Sequence, residues 1–195
     1  MTHALITGGG GFIGLHLARR FVAAGWSVDL LDNFQRGVRD NDLESLATHD
    51  NIRLLEMDIH DAAATATLET DYSHVFHFAA MLGVQNVLEQ PYEVLVGNMN
   101  MTVAAIEIAK RQAGLKRFLF ASTSEVYAGT LAQFGLEVPT PEKTPLTLSD
   151  LREPRTSYMA SKLYGEAVCL HSGLPVTLIR PHNIYGPDMG FAHVI

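Results

Sequence analysis

Short apolar runs alternate with stretches of helical periodicity along almost the whole chain. ALIT at 4–7, SVDLL at 27–31, IRLLEM at 52–57, HVFHF at 74–78, RFLFA at 117–121 and VTLIR at 176–180 read as strands. They are continuous rather than alternating, the pattern of strands buried on both faces. Helices are predicted over 12–24 (ended by Gly25), 40–48, 62–69, 92–113 and 158–171. Strand–helix alternation of this kind predicts an α/β fold with a doubly wound parallel sheet. The stretch 131–154 carries Pro139, Pro141, Pro145 and Pro154 with little periodicity, so it reads as a long loop of functional kind. FAHVI at 191–195 does not read as a finished element.

Composition narrows the class. The 195 residues suit one domain with a sizeable core, and 47% hydrophobic against 18% charged residues excludes disorder. Fourteen Lys+Arg against twenty-one Asp+Glu supply no basic stripe, so nucleic acid is not an expected partner. No apolar run approaches the roughly 18 residues of a membrane span, and MTHALITGGG is not a secretory signal. The single cysteine, Cys169, excludes an internal disulfide and suits a cytoplasmic location. None of the nine histidines falls in HxxxH or HExxH, so no metal site is expected.

TGGGGFIG at 7–14 directly follows the first strand and opens the first helix, the context that gives a glycine motif its specificity. Gly8 permits the tight turn, Gly11 the approach of a pyrophosphate to the backbone, and Gly14 close packing of helix on strand. The helix N-terminus offers free N–H groups to phosphates. Asp32, ending the second strand, is placed to accept from both adenosine ribose hydroxyls and to repel the 2′-phosphate of NADP. It reads otherwise as a turn or capping Asp. Arg36 nearby is able to meet a 2′-phosphate, but NAD is the preferred cofactor. Asp58 and Ile59, ending the third strand, read equally as adenine-flanking or as a turn.

Tyr158 and Lys162 form YMASK, a spacing of four that puts both side chains on one helix face. A lysine ammonium one turn away is expected to favour the phenolate and lower the tyrosine pKa. Ser122-Thr123-Ser124-Glu125 follows the fifth strand, and ligands of open α/β sheets bind beyond the carboxyl ends of strands. A hydroxyl there meets a substrate oxygen. Glu125 is either a second acid/base or a structural carboxylate. Asn98, polar within an apolar helix, faces solvent or bonds backbone near the cofactor.

These motifs resemble the extended short-chain dehydrogenases, specifically the NAD-dependent nucleotide-sugar epimerase/dehydratase group. The matching residues are TGGGGFIG, Asp32-Asn33, Asp58-Ile59, HFAA at 77–80, Asn98, ASTSEVY at 121–127, YMASK, and RPHNIYGP at 180–187. The resemblance implies a Rossmann fold. It gives Phe12 and Ile13 backbone N–H groups for the pyrophosphate. Asp32 holds the adenosine ribose, Asp58 and Ile59 contact adenine, and Phe78, Ala79 and Ala80 line the nicotinamide side. Thr123 bonds the sugar hydroxyl being oxidised, Tyr158 takes its proton, and Lys162 holds the nicotinamide ribose. Pro181 and His182 pack on the nicotinamide, and Asn183 lies near the sugar nucleotide's phosphate. Asn33, Arg36, Gly37, Asn98 and Ser122 join the expected cofactor site; Met81 and Ser124 join the substrate site.

The implied activity is a 4-epimerase-like reaction on a nucleotide sugar through a 4-keto intermediate. Uronate decarboxylation, 4,6-dehydration and 4-dehydrogenation are its alternatives, and a non-catalytic NAD-binding module is the rival from another class. Ser124 stands where dehydratases have Asp, and Ala128 where a glycine is usual. The family continues into a small sugar-nucleotide domain, so a truncation after Ile195 is expected. A homodimer is expected from pairing of helices 92–113 and 158–171, with Val94, Met101, Ala105, Ile108, Met159, Leu163 and Ala167 as candidate contacts.

Overall fold

The computed structural model describes residues 2–187 and 189. Six strands form one parallel sheet: β1 (His3–Thr7), β2 (Ser27–Asp32), β3 (Ile52–Glu56), β4 (His74–His77), β5 (Arg117–Ala121) and β6 (Val176–Ile179). Their order is β3-β2-β1-β4-β5-β6. Chain order reverses between β1 and β4, which are in register as Ala4↔His74 and Thr7↔His77. A crevice therefore opens beyond the carboxyl ends of those two strands, the usual ligand position in such sheets.

Helices cover both faces. α1 (Phe12–Ala23) and α2 (Asn41–Ala47) lie on one, where Leu15, Ala18, Leu43 and Leu46 pack on Ala4, Ile6, Val28, Leu30 and Phe76. On the other, Met101, Ala105, Ile106 and Ala109 of α5 (Pro91–Lys110) and Cys169 of α7 (Pro154–Leu170) pack on Leu5, Leu31, Val75, Phe118 and Phe120. Alternate residues of β1 and β2 feed opposite cores, as period-two alternation requires. The edge strand β6 is only half-buried throughout.

Strand ends fall within one residue of expectation, whereas several helices differ. The helix over 62–69 shrinks to α3 (Ala62–Thr65). Asp61 caps its start, and the hydroxyls of Thr65 and Thr67 donate to carbonyls three residues back, which favours a turn over a helix. The helix over 92–113 starts at Pro91 and stops at Lys110, and α4 (Val84–Glu89) precedes it unforeseen. Pro154 opens α7 rather than closing a loop, since a helix's first residue needs no N–H. A 3₁₀ turn (Ser124–Tyr127) leads into α6 (Ala128–Phe134), which takes the front of the expected loop and leaves 135–153 irregular. Residues 191–195 lie outside the described residues.

Candidate active site

The glycine turn is shaped by backbone crowding. Gly8 has φ 71°, and a Cβ there would lie 2.7 Å from the Ala79 nitrogen at the end of β4. A Cβ on Gly14 would lie 2.6 Å from the Gly8 carbonyl oxygen. Gly14 thus lets α1 close onto the turn itself rather than onto the strand. Gly11 caps α1 with no side-chain bond, leaving the first N–H groups of the helix, on Phe12 and Ile13, without a capping side chain.

Asp32 is buried beside this turn. Its carboxylate accepts from Gly10 N–H and Phe34 N–H, both at 2.9 Å. Gly37 packs close against the same carboxylate, and Asn33 and Arg36 are exposed at the rim. Burial pushes the Asp58 carboxyl up, but the backbone and ring of His60 and the Asn33 amide outweigh it and hold it below the ordinary range. The Ile59 side chain is in the core cluster, so an adenine contact there falls to its backbone. The buried Asp32 carboxylate and the cradle that Cβ atoms would fill suit a dinucleotide.

On the other wall, Phe78 and Ala79 continue from β4, with Phe78 N–H donating to the Thr7 carbonyl at 3.0 Å. Ala80 is half-buried beside them. Asn98 resolves in favour of backbone: it is 3% exposed and clips Met81. Met81 N–H donates to Asn98 Oδ1 at 2.7 Å, and Asn98 Nδ2 donates to the Met81 carbonyl and the Ser161 hydroxyl.

β5 and α7 bring the reactive groups together. Thr123 is extended and buried, and its hydroxyl accepts from Glu125 N–H at 3.3 Å. Ser124 N–H donates to the Pro181 carbonyl, joining this segment to the end of β6. Glu125, His182 and Asn183 are exposed. The Ser122 hydroxyl donates to Glu166.

The expected tyrosine–lysine partnership is not formed. Burial pushes the Tyr158 phenol up to about 12; the Glu125 charge adds to this and Arg36 opposes it. Lys162 is 4% exposed and burial pushes it down to about 8. Its ammonium donates to the Ala121 carbonyl at 2.8 Å and lies over the Phe120 ring, 5.8 Å from the Tyr158 ring centroid. The spacing puts both residues on one face, as expected, but the backbone carbonyl takes the charge.

Several site-supporting residues escaped the sequence. His77, 1% exposed, lies with Nδ1 2.7 Å from the Thr7 hydroxyl, and burial with the nearby Lys162 charge pushes it down to about 3. A polar residue inside an apolar strand was the available signal. Glu166 and Arg180 pair behind Ser122; Arg180 opens the RPHNIYGP stretch but was given no role from it, and no motif marks Glu166.

Residues 4–194 match the NAD dependent epimerase/dehydratase family. The chain is 38% identical to UDP-N-acetyl-alpha-D-glucosaminuronate decarboxylase of Bacillus cytotoxicus, over 98% of this chain and 58% of that one. It is 30% identical to UDP-glucuronate 4-epimerase of Thermodesulfobacterium geofontis, over 96% and 57%. Among solved structures it resembles the Bordetella bronchiseptica enzyme WbmH in complex with NAD+, with a TM-score of 0.80, 26% identity, and 97% and 58% of the two chains covered. The chain thus spans somewhat over half the length of these two relatives and about two fifths of others, such as UDP-glucuronic acid decarboxylase 1 of Xenopus tropicalis at 42%. With glycine turn, Asp32 and the β5–α7 groups set around one crevice, the chain belongs to the NAD-dependent epimerase/dehydratase family, and its cofactor is NAD.

Proposed function

We propose that the protein oxidises C4 of a UDP-linked hexuronic acid and then decarboxylates it. The observation that carries this reading is the convergence of Thr123, Glu125 and Tyr158 beside the glycine cradle, at the carboxyl edge of the sheet. Bound NAD supplies the hydride acceptor. Phe12 and Ile13 N–H groups, Asp32 and the Phe78–Ala80 wall would hold it, and Lys162 would hold its nicotinamide ribose. Thr123 orients the C4 hydroxyl and Tyr158 removes its proton.

The resulting 4-keto uronate is a β-keto acid. Its carboxylate leaves as CO2 when the C5–C6 bond lies parallel to the ketone π orbitals, the C4–C5 enolate that remains takes a proton at C5, and return of the hydride to C4 would restore NAD and leave a UDP-linked pentose. Glu125 is a second acid/base close enough to raise the Tyr158 pKa. That group is needed for decarboxylation and not for 4-epimerisation, where hydride returns to the opposite face. The relatives above are named for UDP-uronates, which supports the substrate class. The second reading is 4-epimerisation, favoured by the kinship to UDP-glucuronate 4-epimerase.

Incubating the full gene product with UDP-glucuronate and UDP-N-acetylglucosaminuronate tests the reading. CO2 release with retained NAD supports it, inversion at C4 without CO2 selects the second reading, and NAD binding without turnover overturns both. We also propose a homodimer through the outer faces of α5 and α7. Val94, Met101, Ala105, Ile108 and Met159 are buried within the chain, so those expected contacts are replaced by the exposed Tyr92, Val103 and Tyr164. Leu163 is half-buried and Ala167 exposed on the same helix.

A further inference from the structure

The carboxylate of Glu166 and the guanidinium of Arg180 form a pair whose side chains are 5% and 20% exposed. Arg180 Nε and Nη2 donate to Glu166 Oε1 and Oε2 at 2.8 and 2.6 Å. The same Oε1 accepts from the Ser122 hydroxyl at 2.5 Å. Arg180 Nη1 donates to the Tyr127 hydroxyl and to the Glu142 carbonyl, and its plane lies over the Tyr127 ring. One pair therefore ties together α7, the end of β6, the 3₁₀ turn and the irregular segment 135–153.

Its place is informative. Glu166 sits one turn beyond Lys162 on α7, on the same face. Lys162 holds Ala121 and Glu166 holds Ser122, so two successive residues of α7's inner face grip two successive residues at the end of β5. The next residue of that strand end is Thr123. A buried ion pair is weak as a stabilising device, because desolvation of both charges offsets their attraction. Fixed geometry is what this one supplies.

We propose that Glu166 and Arg180 are positioning residues that set the Thr123 hydroxyl and the Lys162 ammonium relative to the Tyr158 phenol. This rests on the reading of Thr123 and Tyr158 as the reacting pair. Neither Glu166 nor Arg180 touches the reacting atoms; they act through Ser122 and α7.

The test uses the full gene product loaded with NAD and the variants Glu166→Gln, Arg180→Lys and Ser122→Ala, with the exposed Glu107→Gln as control. Phenol ionisation of Tyr158 is followed by ultraviolet difference against Tyr158→Phe, which needs no substrate. The midpoint is expected to move by about half a pH unit or more in Glu166→Gln and Arg180→Lys, with no movement in the control. Turnover of a UDP-uronate is expected to fall roughly tenfold to a hundredfold in kcat with KM little changed. In a Tyr158→Phe background Glu166→Gln should cost almost nothing further. An unmoved midpoint in the folded variants overturns the proposal, as does a rate loss that multiplies in full onto Tyr158→Phe. If Glu166→Gln does not fold, Ser122→Ala decides by the same criteria. Wild-type protein that turns over no UDP-uronate defeats the functional reading, while the titration still decides the role of the pair.

Discussion

The Lys162 ammonium lies 5.8 Å from the Tyr158 ring centroid and donates to the Ala121 carbonyl at 2.8 Å. Proximity on a helix face has not produced an ion pair. Both groups are desolvated, and each shifts toward its neutral form: Tyr158 up to about 12, Lys162 down to about 8.

In the cofactor-free protein the Tyr158 phenol should therefore titrate above free tyrosine. Its raised pKa favours the protonated folded state, a contribution present below pH 10 and lost as pH rises to about 12. Glu125→Gln should lower the midpoint and Arg36→Ala should raise it. A wild-type midpoint at or below that of free tyrosine contradicts this account.

Asp32 should set cofactor preference. Asp32→Asn is expected to weaken NAD by roughly tenfold to a hundredfold, the worth of charge-assisted bonds to ribose hydroxyls, and to narrow the gap to NADP. Calorimetry that finds NADP bound as tightly as NAD by the wild type would sink it. Because the same carboxylate holds Gly10 and Phe34, Asp32→Ala should also lower the melting temperature.

Tyr158→Phe should cut turnover by about 10²–10⁴-fold and leave NAD binding nearly intact. Thr123→Ala should slow the reaction through loss of a bond to the reacting hydroxyl. Lys162→Ala should harm both rate and binding. Glu125→Gln separates the two outcomes at the 4-keto sugar: a loss rivalling Tyr158→Phe, with solvent deuterium at C5 of the product, accompanies decarboxylation. A modest loss and no deuterium at C5 accompany 4-epimerisation.

Acid should destabilise the protein through His77. Its pKa is depressed from 6.5 to about 3, so the contribution is present above pH 6.5 and lost as pH falls toward 3. The decline should amount to a few kcal/mol in denaturant midpoints measured at pH 7 and 4. His77→Gln, which keeps a partner for Thr7, should flatten that slope; an unchanged slope counts against His77.

Light scattering should find a dimer for the full gene product. A charge at Val103 or Tyr164, as in Val103→Glu or Tyr164→Glu, should shift it to monomer without loss of NAD binding. A wild-type monomer at high concentration would refute the α5–α7 surface.

The strands and the glycine turn were legible because burial on both faces leaves continuous apolar runs and the turn has few backbone solutions. Helix bounds were less so. The threonines of 62–69 carry hydroxyls that compete for the backbone, and Pro154 reads alike as a loop residue or a helix start. The shared helix face of Tyr158 and Lys162 was legible because their spacing fixes it. The direction of their pKa shifts was not, because it depends on the Ala121 carbonyl and on burial. Glu166 and Arg180 are joined only by the fold, so no local pattern marks their pairing.

The strand order 3-2-1-4-5-6 has a practical corollary. Gly8, Gly14, Asp32 and Arg36 belong to β1, β2 and their connections, whereas Thr123, Glu125, Tyr158 and Lys162 belong to β5, α7 and the turn between. The crevice separates two stretches of chain that meet mainly through β1 and β4. On the proposed reading, recombining the first stretch with that of a relative should exchange coenzyme preference and leave the proposed chemistry of the second in place. An electrostatic thread crossing that seam is Arg36, whose charge reaches Tyr158, so a chimera that replaces Arg36 should carry a retuned tyrosine.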